Sequence, residues 1–366
     1  MLRQSCCALL LFTVLVGCQN SPAPEFVVVR ASELIDGTGG NPRQNVRILI
    51  RHGIIEAVED DNDLVPTLKG AAVVDARGLT VTPGFVATLS ECDLEGLRDG
   101  TALHRSMSLG ITTAEVVSGD PGRAGALRKY TGVARHRGPR VVVAATIAPG
   151  KSGVQTLRAL VRQAADRGAE IVHVPLVGAT ETAREALCAL VDEAHAQDMR
   201  TMVEVDSPAR FEAARACIAE TLVWRGNLPP AIEPEPLREL PEVVVNAAET
   251  TPAAALAWEK AGALMAMSYG EPMCALNGVA LGQVMERLVK GGMTRERVVA
   301  AFTAGAARTL GLGDALGKIV PGYRADLLVT EGRGLGSVRH VLIDGIEQSL
   351  EDPSLFQRWV AWWELR

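Results

Sequence analysis

"LTVTPGFVATLSECD", residues 79–93, is the stretch that decides the fold. An apolar run leads into Pro83-Gly84, a turn dipeptide, and a second apolar run from Phe85 leaves it. That second run closes on Ser90, Glu91, Cys92 and Asp93, so it reads as a strand carrying polar groups at its tip.

Working outward, seven more runs of the same kind follow: "ITTAEVVS", "RVVVAATIA", "EIVHVPL", "RTMVEVD", "ETLVWRG", "EVVVNAA" and "LMAMSYG". Helical patterns separate most of them. "VQTLRALVRQAADRG" and "TAREALCALVDEAHAQ" place apolar residues at i, i+3, i+4 and i+7, and "SPARFEAARACIA" opens with a Ser-Pro cap. "LPPAIEPEPLRELP" is too rich in proline for a full helix. Eight strands alternating with helices predict a parallel α/β architecture, and eight is the number that closes a (β/α)8 barrel. A doubly wound open sheet competes, but no GxGxxG follows a first strand.

Both ends of the chain read differently. "EFVVVRASELIDGTGG", "NVRILIRHGIIEAVED" and "AAVVDARGLTVTPG" are short strands broken by Gly, Asn and Asp, with Gly53 at the tight position of a hairpin. "GKIVPGYRADLLVT" and "VRHVLIDGIEQ" have the same flavour near the C-terminus. The two blocks predict one small β-sandwich domain, residues 25–82 and 316–348, around a barrel at 83–315. A Trp-rich segment, 349–366, follows, and its aromatic cluster suits a docking helix or an interface. Gly84, Gly110, Gly322 and Gly345 read as turn positions where φ freedom is useful.

The first twenty residues carry Arg3, an apolar run from Ala8 to Val16, and Gly17-Cys18. This is the layout of a secretory signal, residues 1–17. "LVGC" resembles the lipobox of bacterial lipoproteins, which implies lipidation of Cys18 and a tether at 18–24. The expected location is the bacterial cell envelope, lipid-anchored and facing the periplasm or exterior, with Gln19 suiting the outer membrane. No later stretch is apolar enough to span a bilayer. A net charge of −6 without a long basic run argues against a nucleic-acid partner. Cys92, Cys188, Cys217 and Cys274 are widely spaced and form no CxxC, so a zinc framework is not expected. Cys188 and Cys217, in helical segments, read as small buried apolar groups.

"LIDGTGG", "RILIRHGIIEAV", "VVDARGLTVTPGF", "SLGITTAEVVSG" and "GGMTRERVVAAFTAGAARTLGLGDALGKIVPG" resemble the amidohydrolase superfamily, nearest its imidazolonepropionase-like and dipeptidase-like members. The resemblance implies a (β/α)8 barrel with a two-ended β domain. It further implies hydrolysis of non-peptide C–N bonds by one or two divalent metals at the barrel's C-terminal face. The family's ligand positions fall here on Leu89, Glu91, His173, Glu204, Trp224 or Arg225, and Ser268 or Tyr269. None is the family's usual residue, which implies a pseudoenzyme with no cofactor.

Glu91, Asp93, His173, Glu204 and Asp206, with Cys92 nearby, are the alternative candidates for a rearranged site holding zinc, manganese or calcium. Their bland counterpart is a solvated rim, or a His173–Glu204 pair across neighbouring strands. Ser90 and Ser268 are the only nucleophile candidates at strand ends, and neither sits in a GxSxG elbow. Glu91 with Glu204 is a carboxylate pair. A surface-anchored barrel binding a small molecule or an envelope protein is the non-catalytic expectation.

Overall fold

The computed structural model describes residues 24–62, 70–91, 100–132, 138–150, 152–176, 181–229, 242–247, 249–260, 265–268, 278–331, 335–351 and 353–364. The leader, Cys18 and most of the tether lie outside the described residues. So do Cys92, Asp93, His136, Tyr269, Cys274 and most of the proline-rich 228–241 segment. Ser90 and Glu91 are described in backbone only.

The chain opens with β1 (Phe26–Leu34), β2 (Arg43–Arg51), β3 (Ile54–Asp60) and β4 (Ala72–Pro83). After the barrel it returns with β13 (Leu327–Thr330), β14 (Val338–Ile343) and β15 (Ile346–Glu347). These seven strands form one mixed sheet in the order β15-β14-β13-β4-β1-β2-β3. The alternation that marks β1 and β2 in sequence turns Val27, Val29, Val46, Ile48 and Ile50 into one apolar core with Leu327 and Val329. The predicted hairpin joins β2 to β3 through His52 (φ 49°) and Gly53 (φ 79°), both left-handed, as a tight turn requires.

Pro83-Gly84 leads directly into the barrel. Gly84 is not a matter of φ freedom, contrary to the sequence expectation: a Cβ there would lie 2.0 Å from Thr112 Oγ1, so close approach demands the glycine. The parallel strands are β5 (Phe85–Glu91), β6 (Ile111–Ser118), β7 (Arg140–Thr146), β8 (Ile171–Val174), β9 (Arg200–Val205), β10 (Thr221–Trp224), β11 (Glu242–Asn246) and β12 (Met265–Ser268). They hydrogen-bond in sequence order, and β12 comes round beside β5. All eight sequence-predicted runs are therefore strands. The helices are α1 (Thr101–Ser108), α2 (Pro121–Thr131), α3 (Val154–Asp166), α4 (Glu181–Ala196), α5 (Pro208–Ala216), α6 (Pro252–Lys260) and α7 (Gly278–Lys290). Ser207 caps α5 with Pro208 at its first position, as its sequence required.

Because both faces of a parallel strand are covered, runs such as "IVHV" and "TLVW" are buried at every residue. Outward residues such as Val172, Val203 and Val243 pack against the helices. Inward residues Val86, Val117, Ile171, Met202, Val223, Val244 and Ala266 fill the barrel. Its floor is closed by α8 (Arg295–Ala300), a π-helical stretch over Ala301–Gly305, and α9 (Ala306–Thr309), which lends Ala306 and Ala307 to the interior.

Barrel and sheet are joined by a buried ionic cluster. Arg140 donates to Asp326 Oδ2 at 2.6 Å and Asp344 Oδ1 at 2.8 Å, and Arg324 also reaches Asp344. Asp326 is a structural acid. The final helix, α10 (Leu355–Glu364), buries Ala361, which lies against Gly100 at the start of α1. No helix among the described residues is long and apolar enough to cross a membrane.

One expectation is corrected. Cys188 and Cys217 are not free apolar groups: they form a disulfide, because α4 and the end of α5 pack side by side and bring their Cα atoms to 4.7 Å. The helical periodicity of each segment was readable, but their adjacency was not.

Candidate functional site

The barrel's C-terminal mouth is built from the ends of β5, β6, β8, β9 and β10. His173 sits on β8 and Glu204 on β9, inward-facing by the same alternation that sends Ile171 and Met202 into the barrel. Both are buried. His173 Nε2 and Glu204 Oε1 are 3.2 Å apart, the pairing across neighbouring strands that the sequence left open. Glu204 also receives Arg225, whose Nε donates at 2.8 Å, and the Leu176 amide, which donates to Oε2 at 3.3 Å. Burial alone would raise the Glu204 pKa. Hydrogen bonds from His173 and Arg225, with their charges, outweigh it and hold the carboxyl down at about 2.

The ambiguity on the sixth strand is settled by packing. Trp224 turns outward against Phe211 and Trp258, its indole N–H donating to Asn227, so Arg225 is the mouth residue.

Leu89 has no side-chain donor, but its backbone has a role. Strand β5 slips register against β6 between Ala87 and Ser90, and Leu89 takes φ 58°, a left-handed conformation costly for leucine. Its N–H points at Glu115 Oε2, 2.8 Å away. Glu115, on β6, is fully buried, and burial pushes its carboxyl above the ordinary range against the opposing pull of the Leu89 amide and His173. Sequence reasoning passed over Glu115. Its signal was present: a lone acid inside the apolar run "ITTAEVVS" of a strand expected to be buried on both faces.

The other candidates have partners of their own. Asp206 pairs with Arg210 on the surface of α5. Ser268 is buried and directs its hydroxyl to the Val245 carbonyl at 3.5 Å. His195 pairs with Glu220, and His340 with Glu347, both away from the mouth. The side chains of Ser90 and Glu91, together with Cys92, Asp93 and Tyr269, lie outside the described residues.

This geometry defines a class: an α/β barrel with a polar mouth at the C-terminal strand ends. The model of the amidohydrolase family matches residues 101–347, and the chain belongs to that family. Over 190 residues it is 31% identical to an N-acyl-D-aspartate deacylase from Alcaligenes xylosoxydans xylosoxydans. That match covers 48% of this chain, which spans only 35% of that relative's length. Among solved structures, an A. niger ochratoxinase superposes with a TM-score of 0.70 at 20% identity, covering 89% of this chain and 96% of its own. A Xaa-Pro dipeptidase with bound methionine gives 0.70 at 18%, covering 88% and 99%. At such identities the structural likeness speaks for the fold.

Proposed function

We propose that this chain keeps the amidohydrolase barrel as a small-molecule binding scaffold and has set aside the family's metal-assisted hydrolysis. That chemistry uses a divalent ion to activate water and polarise a carbonyl, and the ion needs donors free to face it. The observation that carries the reading is the engagement of Glu204. Its Oε1 serves His173 and Arg225, its Oε2 serves the Leu176 amide, and a guanidinium lies against it as a fixed positive charge. A cation placed beside that carboxylate would be repelled by Arg225. Leu89 adds no side-chain donor. Among the described residues, no three His, Cys, Asp or Glu side chains come together as a cation site.

Metal analysis of the purified protein, run beside a turnover screen of amides, cyclic amides and ureas, tests the reading. It expects substoichiometric metal and no turnover. Stoichiometric zinc with amide turnover would overturn it.

Family membership favours a second reading, a hydrolase of non-peptide C–N bonds with a rearranged site using His173, Glu204 and Glu91. A stoichiometric ion lost in His173→Ala would establish that alternative.

We place the protein in the bacterial envelope, anchored through Cys18 and facing the periplasm or exterior. The leader pattern supports this. So does the Cys188–Cys217 disulfide, because disulfides persist in oxidising compartments. Labelling with a palmitate analogue should be lost in Cys18→Ala, and unchanged labelling would contradict the anchor.

A further inference from the structure

Charge is unevenly spread along the chain. Residues 121–168 hold ten Lys or Arg and a single acid, Asp166, although the whole protein carries a net −6. One of the ten, Arg140, is taken up by the ionic cluster that joins barrel to sheet. Three others have acidic neighbours: Arg128 meets Glu170, Arg162 meets Glu193, and Arg167 lies 3.9 Å from Asp120. With those three acids counted beside Asp166, nine basic residues stand against four acids, an excess of five positive charges. On α2 the buried line is Ala124, Leu127 and Tyr130, which leaves Arg123 and Lys129 on the exposed side. On α3, Leu157, Val161 and Ala164 are buried, while Arg162 and, at the helix end, Arg167 are exposed. Like charges gathered this way attract an anionic surface.

An apolar stripe borders this basic face. A Cβ on Gly100 would lie 3.3 Å from Ala361 Cβ of α10 and 3.4 Å from Tyr130 Oη of α2, so Gly100 brings the two helices together. Helix α10 buries Ala361 and leaves Leu355, Trp362 and Trp363 exposed, at 82%, 37% and 61%. Leu355 and Trp362 stand two turns apart on one line of the helix, with Trp363 alongside. Exposed indoles and leucine beside Lys and Arg suit a bilayer surface. Indoles lodge among headgroups, leucine reaches the acyl boundary, and cations pair with phosphates. A nucleic acid would use the same cations, but the Cys188–Cys217 disulfide belongs to an oxidising compartment, where the extended anionic surface is a membrane.

We infer that α10 and the basic face of α2 and α3 form a docking surface for a bilayer whose headgroups carry anionic phosphate. The contact goes beyond the Cys18 anchor and does not need it. An anchor sets the distance from the membrane, whereas this face sets which side of the barrel lies against it.

The test mixes the full chain with vesicles of brominated phosphatidylcholine, alone or with phosphatidylglycerol. Brominated chains quench only indoles that reach the bilayer, and Trp224 and Trp258 are buried in the body of the protein. Quenching is expected with phosphatidylglycerol, weaker in phosphatidylcholine alone, and relieved by salt. Trp362→Ser with Trp363→Ser should remove most of it. Arg123→Glu with Lys129→Glu should lower the ratio of docked to undocked protein, read from the quenching, about thirtyfold or more. Both charge reversals lie on an exposed helix face, so they decide alone if the tryptophan variant fails to fold. No quenching, equal quenching with and without phosphatidylglycerol, or quenching that survives the charge reversals would overturn the inference. So would a sedimentation mass that halves in the tryptophan variant, which would make a second copy the occupant of the stripe. Failure of the anchor shows separately, as absent palmitate labelling with the quenching intact.

Discussion

Replacing Glu204 by glutamine tests the electrostatics of the mouth most sharply. The isostere keeps the shape and removes the charge that His173, Arg225 and the Leu176 amide share. The wild-type carboxyl is held at about 2 against an ordinary 4.5. That displacement corresponds to roughly 3 kcal/mol of preferential stabilisation of the ionised form. A carboxylate with a lowered folded pKa stabilises the protein above its unfolded pKa and loses that contribution as pH falls toward the folded value. Glu204→Gln should therefore be about 3 kcal/mol less stable near pH 7, and the gap should shrink by more than half near pH 3. Urea unfolding of both proteins across that range measures it. A gap that stays constant with pH, or one below about 0.5 kcal/mol throughout, would refute the reasoning.

Glu115 has the opposite sign. Its raised pKa costs stability as pH rises above about 4.5, where the unfolded chain ionises more readily than the buried group. Glu115→Gln should match wild type near pH 4 and exceed it near pH 8 in thermal melts; a deficit at the higher pH would contradict the assignment. Removing the Cys188–Cys217 bridge by double serine substitution opens a loop with a separation of 29 residues, which should lower stability by about 3–4 kcal/mol. Equal denaturation midpoints would argue against the bridge. Arg140→Met strands Asp326, with a side chain only 4% exposed, and should cost about 3–5 kcal/mol in chemical denaturation. A cost below about 1 kcal/mol would mean that the cluster does not join barrel to sheet.

Much of this architecture was legible because parallel strands leave a plain trace. "RVVVAATIA" and "EVVVNAA" are apolar at nearly every position, which only burial on both faces explains. The hairpin at His52-Gly53 was equally plain, since two left-handed residues in a row leave little choice beyond glycine at the second. The site was read in part. His173 and Glu204 were picked out as strand-end groups, and their pairing follows from β8 and β9 being neighbours. Arg225 could not be separated from Trp224 by sequence alone, because a one-residue shift exchanges the inward and outward faces. Glu115 escaped because attention to strand ends passes over an acid in mid-strand. The Cys188–Cys217 pairing escaped because helix packing, not spacing, brings two cysteines together.

Anomalous diffraction at the zinc edge, from crystals of protein expressed with added zinc, tests the central claim most directly. The account predicts no peak at the barrel mouth, with guanidinium density from Arg225 seated on Glu204. A zinc peak within coordination distance of His173 or Glu204, with Arg225 turned away, would contradict it.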